Sequence, residues 1–109
     1  MLRIDNTNIT LTRGDTLALE VGMKKNGQTY VMQEGDKVRF AVSIGHKGEA
    51  GYKLIKTADM DAENYVRISS EDTEKLTKPI YCYDVEMTYA DGTVDTFISG
   101  NLFMVGESE

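Results

Sequence analysis

Cys82 is the chain's only thiol and His46 its only imidazole. A thiol becomes a nucleophile or ligand when a neighbouring cation, helix N-terminus or metal lowers its pKa. A His-based triad with Cys82 would therefore require this single pair to meet. Taken one at a time, neither residue signals that role. Cys82 sits in a strand-like run, where it fits as a small apolar side chain of a sheet. His46 lies beside Lys47 in a glycine-rich stretch with no partner ligand at motif spacing, so an exposed loop imidazole is expected. With one cysteine, an intrachain disulfide and a multi-cysteine zinc site are both excluded.

Carboxylates offer a second chemistry. Asp59, Asp61 and Glu63 repeat at i, i+2, i+4, like the opening of a calcium loop. The glycine needed for that loop's sharp turn and the distal bidentate glutamate are both missing. A solvated connection between strands is the expectation. A glycosidase pair is defined by carboxylate separation across a cleft, which spacing along a chain does not fix. Arg13-Gly14-Asp15 spells an integrin-binding tripeptide, but it falls between two strand-like runs, where glycine serves a bend. The Gly45–Gly51 stretch lacks the Gly-Lys-Ser/Thr ending of a phosphate loop and opens no helix. Met23, Met32, Met60, Met87 and Met104 fall on separate elements, as core gap-fillers do. Tyr81 and Tyr83 read as structural. So does Tyr89, while Tyr81 opens the longest strand at a corner where its hydroxyl can bond back to the preceding connection; a sugar-stacking site would need any of the three to face solvent together with Tyr30 or Tyr52.

The elements that would position these groups are almost all strands. Ile9–Thr12 alternates apolar and polar residues. In Leu17–Val21, Leu17, Leu19 and Val21 share a face. In Lys37–Ile44, Val38, Phe40, Val42 and Ile44 face one way and Arg39, Ala41 and Ser43 the other, the period of a half-buried strand. Tyr52–Lys56 and Tyr65–Ile68 are shorter. Ile80–Tyr89 is longest, with Tyr81, Tyr83, Val85, Met87 and Tyr89 on one side and Cys82, Asp84, Glu86 and Thr88 on the other. Thr93–Ile98 and Leu102–Val105 complete the set. The expected core includes Leu19, Val38, Phe40, Val42, Tyr83, Val85 and Met87.

Asn26-Gly27 and Asp91-Gly92 each separate two strand-like runs and predict type I′ hairpin turns. Glu34-Gly35-Asp36 marks another turn, and Gly45–Gly51 reads as a mobile loop. One short helix is expected near 70–76, with Ser70 as cap, Glu71 and Asp72 favouring its positive end, and Pro79 limiting it. About eight short strands with close turns make an all-β, antiparallel sandwich or small barrel, in a single domain spanning 1–109.

Composition narrows function. Of 109 residues, 28% are charged and 40% hydrophobic, as in a folded domain. The net charge of -6 argues against nucleic acid, which needs a basic face; a local patch would have to gather Lys24, Lys25, Lys53 and Lys56. No apolar run approaches the roughly 20 residues of a membrane span. Asp5 and Asn6 stand where a signal peptide would be apolar. The cytoplasm is the expected location, which suits a free thiol.

Five stretches carry a resemblance: Ile9-Thr10-Leu11-Thr12-Arg13-Gly14-Asp15-Thr16, Gly35-Asp36-Lys37-Val38-Arg39-Phe40, Ser70-Glu71-Asp72-Thr73, Tyr81-Cys82-Tyr83-Asp84-Val85 and Asp91-Gly92-Thr93-Val94-Asp95-Thr96-Phe97-Ile98. In this order they resemble short tail-associated β-sandwich proteins of phages and prophages of Gram-positive bacteria. They are similar also to the immunoglobulin-like N-terminal domain of siphophage baseplate upper proteins. The resemblance implies an Ig-like sandwich and a virion tail or baseplate component, with no catalytic, cofactor-binding or metal residues to carry over. Those baseplate proteins continue into a receptor-facing part where this sequence ends, so an accessory or assembly module is expected. Its partners would be other tail proteins, with weak self-association and neither nucleic acid nor membrane. A carbohydrate-binding module at the bacterial surface is the alternative.

Overall fold

The computed structural model describes residues 2–5, 8–22, 24–25, 28–46 and 48–106. Their strands are β1 (Leu2–Asp5), β2 (Asn8–Thr12), β3 (Leu17–Glu20), β4 (Lys24–Lys25), β5 (Gln28–Thr29), β6 (Lys37–Ile44), β7 (Lys53–Asp59), β8 (Tyr65–Ile68), β9 (Ile80–Thr88) and β10 (Val94–Val105), with helix α1 (Ser70–Glu74) between β8 and β9. Eight of these strands build two layers. One sheet runs β1-β2-β10-β9-β6-β7, and β3 pairs with β8 in the other. Among the described residues no helix is long and apolar enough to cross a membrane.

Period-two alternation decides which side chains lie between the layers. Val38, Phe40 and Val42 of β6, Tyr81, Tyr83, Val85 and Met87 of β9, and Leu102 and Met104 of β10 turn inward and are buried. They meet Leu17 of β3 and Val66 and Ile68 of β8 in one cluster, with Leu19 and Ile98 packed at its margin. All seven expected core residues take part. At the centre Phe40 stacks on Tyr83, with centroids 5.3 Å apart and planes at 22°, an arrangement worth about 0.5–1.5 kcal/mol beyond its buried area.

The order β10-β9-β6 with β7 at its edge, facing a β3–β8 pair, is the arrangement of an immunoglobulin-like sandwich. A second mark lies at the corner entering β9. The Lys78 N–H donates to the Tyr81 hydroxyl oxygen over 3.1 Å, the hydrogen bond that fixes this corner in such folds.

Several local expectations need correction. The sheet is not wholly antiparallel: β10 runs parallel to β2, with Leu102 opposite Ile9 and Val105 opposite Thr12. Thr93–Ile98 and Leu102–Val105 form one strand, because a register shift between Thr96 and Ile98 absorbs the break in alternation. The helix cap is Ser69, not Ser70, and its side chain accepts from the Asp72 N–H. Asp91-Gly92 does not form a type I′ turn. The Gly92 N–H bonds to Tyr89 O over 2.9 Å and the Tyr89 N–H to Thr93 O over 2.8 Å. Only Gly92 of the pair has positive φ, at 91°, so the loop is a three-residue turn closed by a left-handed glycine. β4 and β5 pair as a hairpin, with Lys25 opposite Gln28; its turn residues Asn26 and Gly27 lie outside the described residues, as does Met23. β1 was not foreseen; it pairs antiparallel with β2.

The outward side of β6 also departs from simple alternation. Ala41 and Ser43 are only 7% and 4% exposed. These small side chains sit between Asp84 and Thr57, and between Cys82 and Leu54, on the flanking strands. Larger neighbours cover them.

Candidate functional site

Strand register brings the thiol and the imidazole together. Cys82 faces outward on β9, with Ser43 opposite it on β6 and Asn101 opposite it on β10. After β6 the chain turns back over this face. The Ser43 hydroxyl donates to Gly45 O over 2.9 Å. The Glu49 carboxylate accepts from the His46 N–H over 3.2 Å, and the Glu49 N–H returns a bond to His46 O over 3.1 Å. The Gly45–Gly51 loop is a series of bonded turns; Lys47 within it lies outside the described residues. The result places His46 Nε2 3.5 Å from Cys82 Sγ, with Asn101 Oδ1 4.0 Å from the same sulfur.

This arrangement joins a thiol, an imidazole and an amide oxygen on an open sheet face, but its electrostatics do not make a nucleophile. Burial pushes the Cys82 pKa up and the negative charge of Glu49 adds to the shift, against a smaller lowering by the Gly45 backbone. A thiol held neutral is a poor attacking group. Asn101 escaped sequence reading because its place beside Cys82 depends on the pairing of β9 with β10, which no local spacing reveals.

The other candidates separate into structural roles. Arg13-Gly14-Asp15 clamps the helix. Arg13 Nε donates to Leu76 O over 3.0 Å, and the Gly14 N–H donates to Thr73 Oγ1 over 3.2 Å. The Thr73 hydroxyl in turn reaches Asp15 O at 2.7 Å. Asp59, Asp61 and Glu63 hold no common centre. Asp59 pairs with Arg39, while Asp61 organises its own turn by accepting from the N–H groups of Glu63 and Tyr65 and from Arg67. The Tyr65 N–H bond, then the Arg67 bond, hold the Asp61 carboxyl below its usual range. Among the described residues no group of three or more His, Cys, Asp and Glu is placed to hold a metal ion.

The tyrosines divide between the core and the surface. Tyr81 and Tyr83 are buried. Tyr30 and Tyr89 pack edge to face, with centroids 6.0 Å apart, and Arg67 covers Tyr65 at 4.7 Å. The Tyr30 hydroxyl donates to Asp36, which also accepts from the N–H groups of Gln33 and Ala90. That carboxylate ties the loop before β6 to the β9–β10 hairpin. Gly35, at φ 91°, makes the approach possible, since an added Cβ would stand 2.9 Å from the Ala90 Cβ. Of the four lysines of interest, Lys53 is exposed on β7 and Lys56 pairs with Asp72 at 3.0 Å; the side chains of Lys24 and Lys25 are outside the description. No basic patch is built by the two that are described. Beside Asp36, an open cleft of about 370 Å³ is lined by Met32, Met60, Arg39, Asp59 and Glu86 among others. Arg39 stands directly between Glu86 and Asp59 in the sheet register, so cation and carboxylates oppose each other across the strands.

A larger feature is the outward face of the six-stranded sheet. Leu54, Ile80, Val94 and Val105 are 49%, 53%, 54% and 41% exposed. Each belongs to the side opposite the core: Leu54 opposite Ser43, Val94 opposite Thr88, Ile80 opposite Phe103, and Val105 beyond the buried Met104. On β9 alone that side is mixed, with Ile80, Cys82 and Thr88 beside Asp84 and Glu86. The assembled sheet adds apolar residues from β7 and β10.

No family model matches the chain, and no curated protein matches it significantly. Among solved structures, it is similar to murine CRIg at 11% identity, over 99% of this chain and 98% of that one, with a TM-score of 0.41.

Proposed function

We propose that the chain is a non-enzymatic interaction module of a phage or prophage tail or baseplate, acting through the outward face of its six-stranded sheet. The observation that carries the reading is that face: Ile80 and Val105 stand exposed near one end of the sheet, with Leu54 on its edge strand and Val94 at the far end, and among the described residues no second layer lies on that side. Ile80 and Val105 are the neighbouring pair, Ile80 lying opposite Phe103 and Val105 two positions further along β10, and adjacent exposed apolar side chains mark a site of association more than ones scattered singly. The upward shift of the Cys82 thiol, from burial first and the charge of Glu49 second, supports a role without covalent chemistry. The tail assignment rests on the stretches that resemble phage proteins, among them Gly35-Asp36 and Tyr81, which prove to be the loop tie and the corner of the fold.

Assembly then works by local concentration. The domain is mostly monomeric in dilute solution and docks when other tail proteins hold it near their surfaces. Light scattering on the purified protein should return a monomer at micromolar concentration. Mass spectrometry of virions purified after prophage induction should find the chain; its absence from virions of a strain that expresses it would overturn the tail reading.

A further inference from the structure

Two metal-ligating side chains converge outside any role the interaction reading gives them. Cys82 Sγ and His46 Nε2 are 3.5 Å apart although 36 positions separate them in sequence. The approach is built by tertiary structure, since the His46 loop is bonded back to Glu49 and Ser43 is bonded to Gly45. Asn101 Oδ1 lies 4.0 Å from the sulfur. The Glu49 carboxylate accepts from the His46 N–H over 3.2 Å, which places negative charge beside the pair and favours a cation there. His46 is exposed and Cys82 partly so, leaving a path for an ion to enter.

We propose that Cys82 and His46 chelate a soft, closed-shell monovalent cation of the copper(I) class. The donor set selects the ion. Structural zinc takes four protein ligands, and the described residues hold no group of three acidic, His or Cys side chains placed for a metal. A thiolate with one imidazole suits a soft cation that accepts low coordination. With bonds of about 2.3 Å to sulfur and about 2.0 Å to nitrogen, lengths borrowed from zinc, a linear arrangement would separate the donors by more than the 3.5 Å seen. The chelate is therefore bent, which leaves coordination room for a further donor, and the Asn101 amide oxygen stands 4.0 Å from the sulfur. Binding involves no redox step. The thiol proton leaves to solvent, the sulfur lone pair forms one bond to the ion, and the unprotonated imidazole nitrogen forms the other. This site stands apart from the tail assignment, and either survives failure of the other.

The test uses the full chain, reduced, in anaerobic competition between copper(I) and a bicinchoninate chelator. The wild-type protein is expected to take one equivalent, and Cys82→Ser to lose it. His46→Gln should weaken binding at least about tenfold, since even the outer partners of metal ligands change affinity by 10–100-fold. A second measurement needs no variant. The chain has one histidine, so its proton NMR spectrum has one imidazole ring to follow as silver(I), a redox-inert stand-in, is added. That ring should shift and saturate at one equivalent. The proposal is overturned if the ring does not move, if His46→Gln binds as tightly as wild type, if Cys82→Ser keeps the stoichiometry through methionines, or if zinc(II) binds as tightly as copper(I).

Discussion

Replacing Thr73 by valine tests the clamp between the Arg13-Gly14-Asp15 bend and helix α1. Thr73 is fully buried. Its hydroxyl oxygen accepts from the Gly14 N–H at 3.2 Å and its proton is within reach of Asp15 O at 2.7 Å and Ser70 O at 3.1 Å. Valine keeps the shape and the β-branch, so packing changes little, but the Gly14 N–H loses its acceptor and Asp15 O a donor. A buried polar group left unmet costs about 1–3 kcal/mol. Because the partners are only partly buried, we take about 2 kcal/mol. For a domain of this size each kcal/mol moves the midpoint by about 4–8 °C, so Thr73→Val should melt about 8–16 °C lower by circular dichroism. Thr73→Ser separates the hydroxyl from the methyl group. It keeps both bonds and loses one carbon, which costs about 1 kcal/mol. The reasoning is refuted if Thr73→Val melts with wild type, or if serine is the more damaging change.

Three further outcomes follow from local geometry. Tyr81→Phe removes the acceptor of the Lys78 N–H and should cost about 1–2 kcal/mol in urea unfolding with an unchanged denaturant slope. The bond from Tyr30 to Asp36 raises the Tyr30 pKa from 10.0 to about 12. A raised folded-state value stabilises the fold below pH 10 and loses that contribution as pH climbs through 12; burial raises Tyr83 as well, so ultraviolet titration should show late-ionising tyrosines, and Asp36→Asn should remove Tyr30 from that group while leaving Tyr83 in it. Asp61 is shifted the other way, below 3.8, first by the Tyr65 N–H and then by Arg67. Its contribution is present above pH 3.8 and is lost as pH falls through the lowered value, so Asp61→Asn should make the unfolding midpoint less sensitive to acid.

How far the sequence could be read depended on the range of the interaction. Alternation in Lys37–Ile44 and in the Ile80–Tyr89 run set the buried faces of β6 and β9 because it is a property of neighbouring residues. Tyr81 at the corner was legible for the same reason: its partner is three positions away. The parallel pairing of β10 with β2 was hidden, since Ile9 and Leu102 are joined only by tertiary structure. Cys82 and His46 posed the same problem. Each looked ordinary in its own segment, and their contact depends on a loop folding over a strand that pairs with β6. Ser43 looked solvent-facing by period, yet it is covered by neighbours from two other strands.

The central claim is that the outward sheet face docks the domain onto a tail, and the incorporation of a face variant into virions measures it directly. Ile80→Lys and Val105→Lys together place charge on exposed positions and leave the core untouched, so the double variant should melt with wild type. Expressed in place of the wild-type chain during prophage induction, it should be depleted from purified virions at least about tenfold, the equivalent of about 1.4 kcal/mol of docking energy. A folded variant found in virions in wild-type amount would contradict the account.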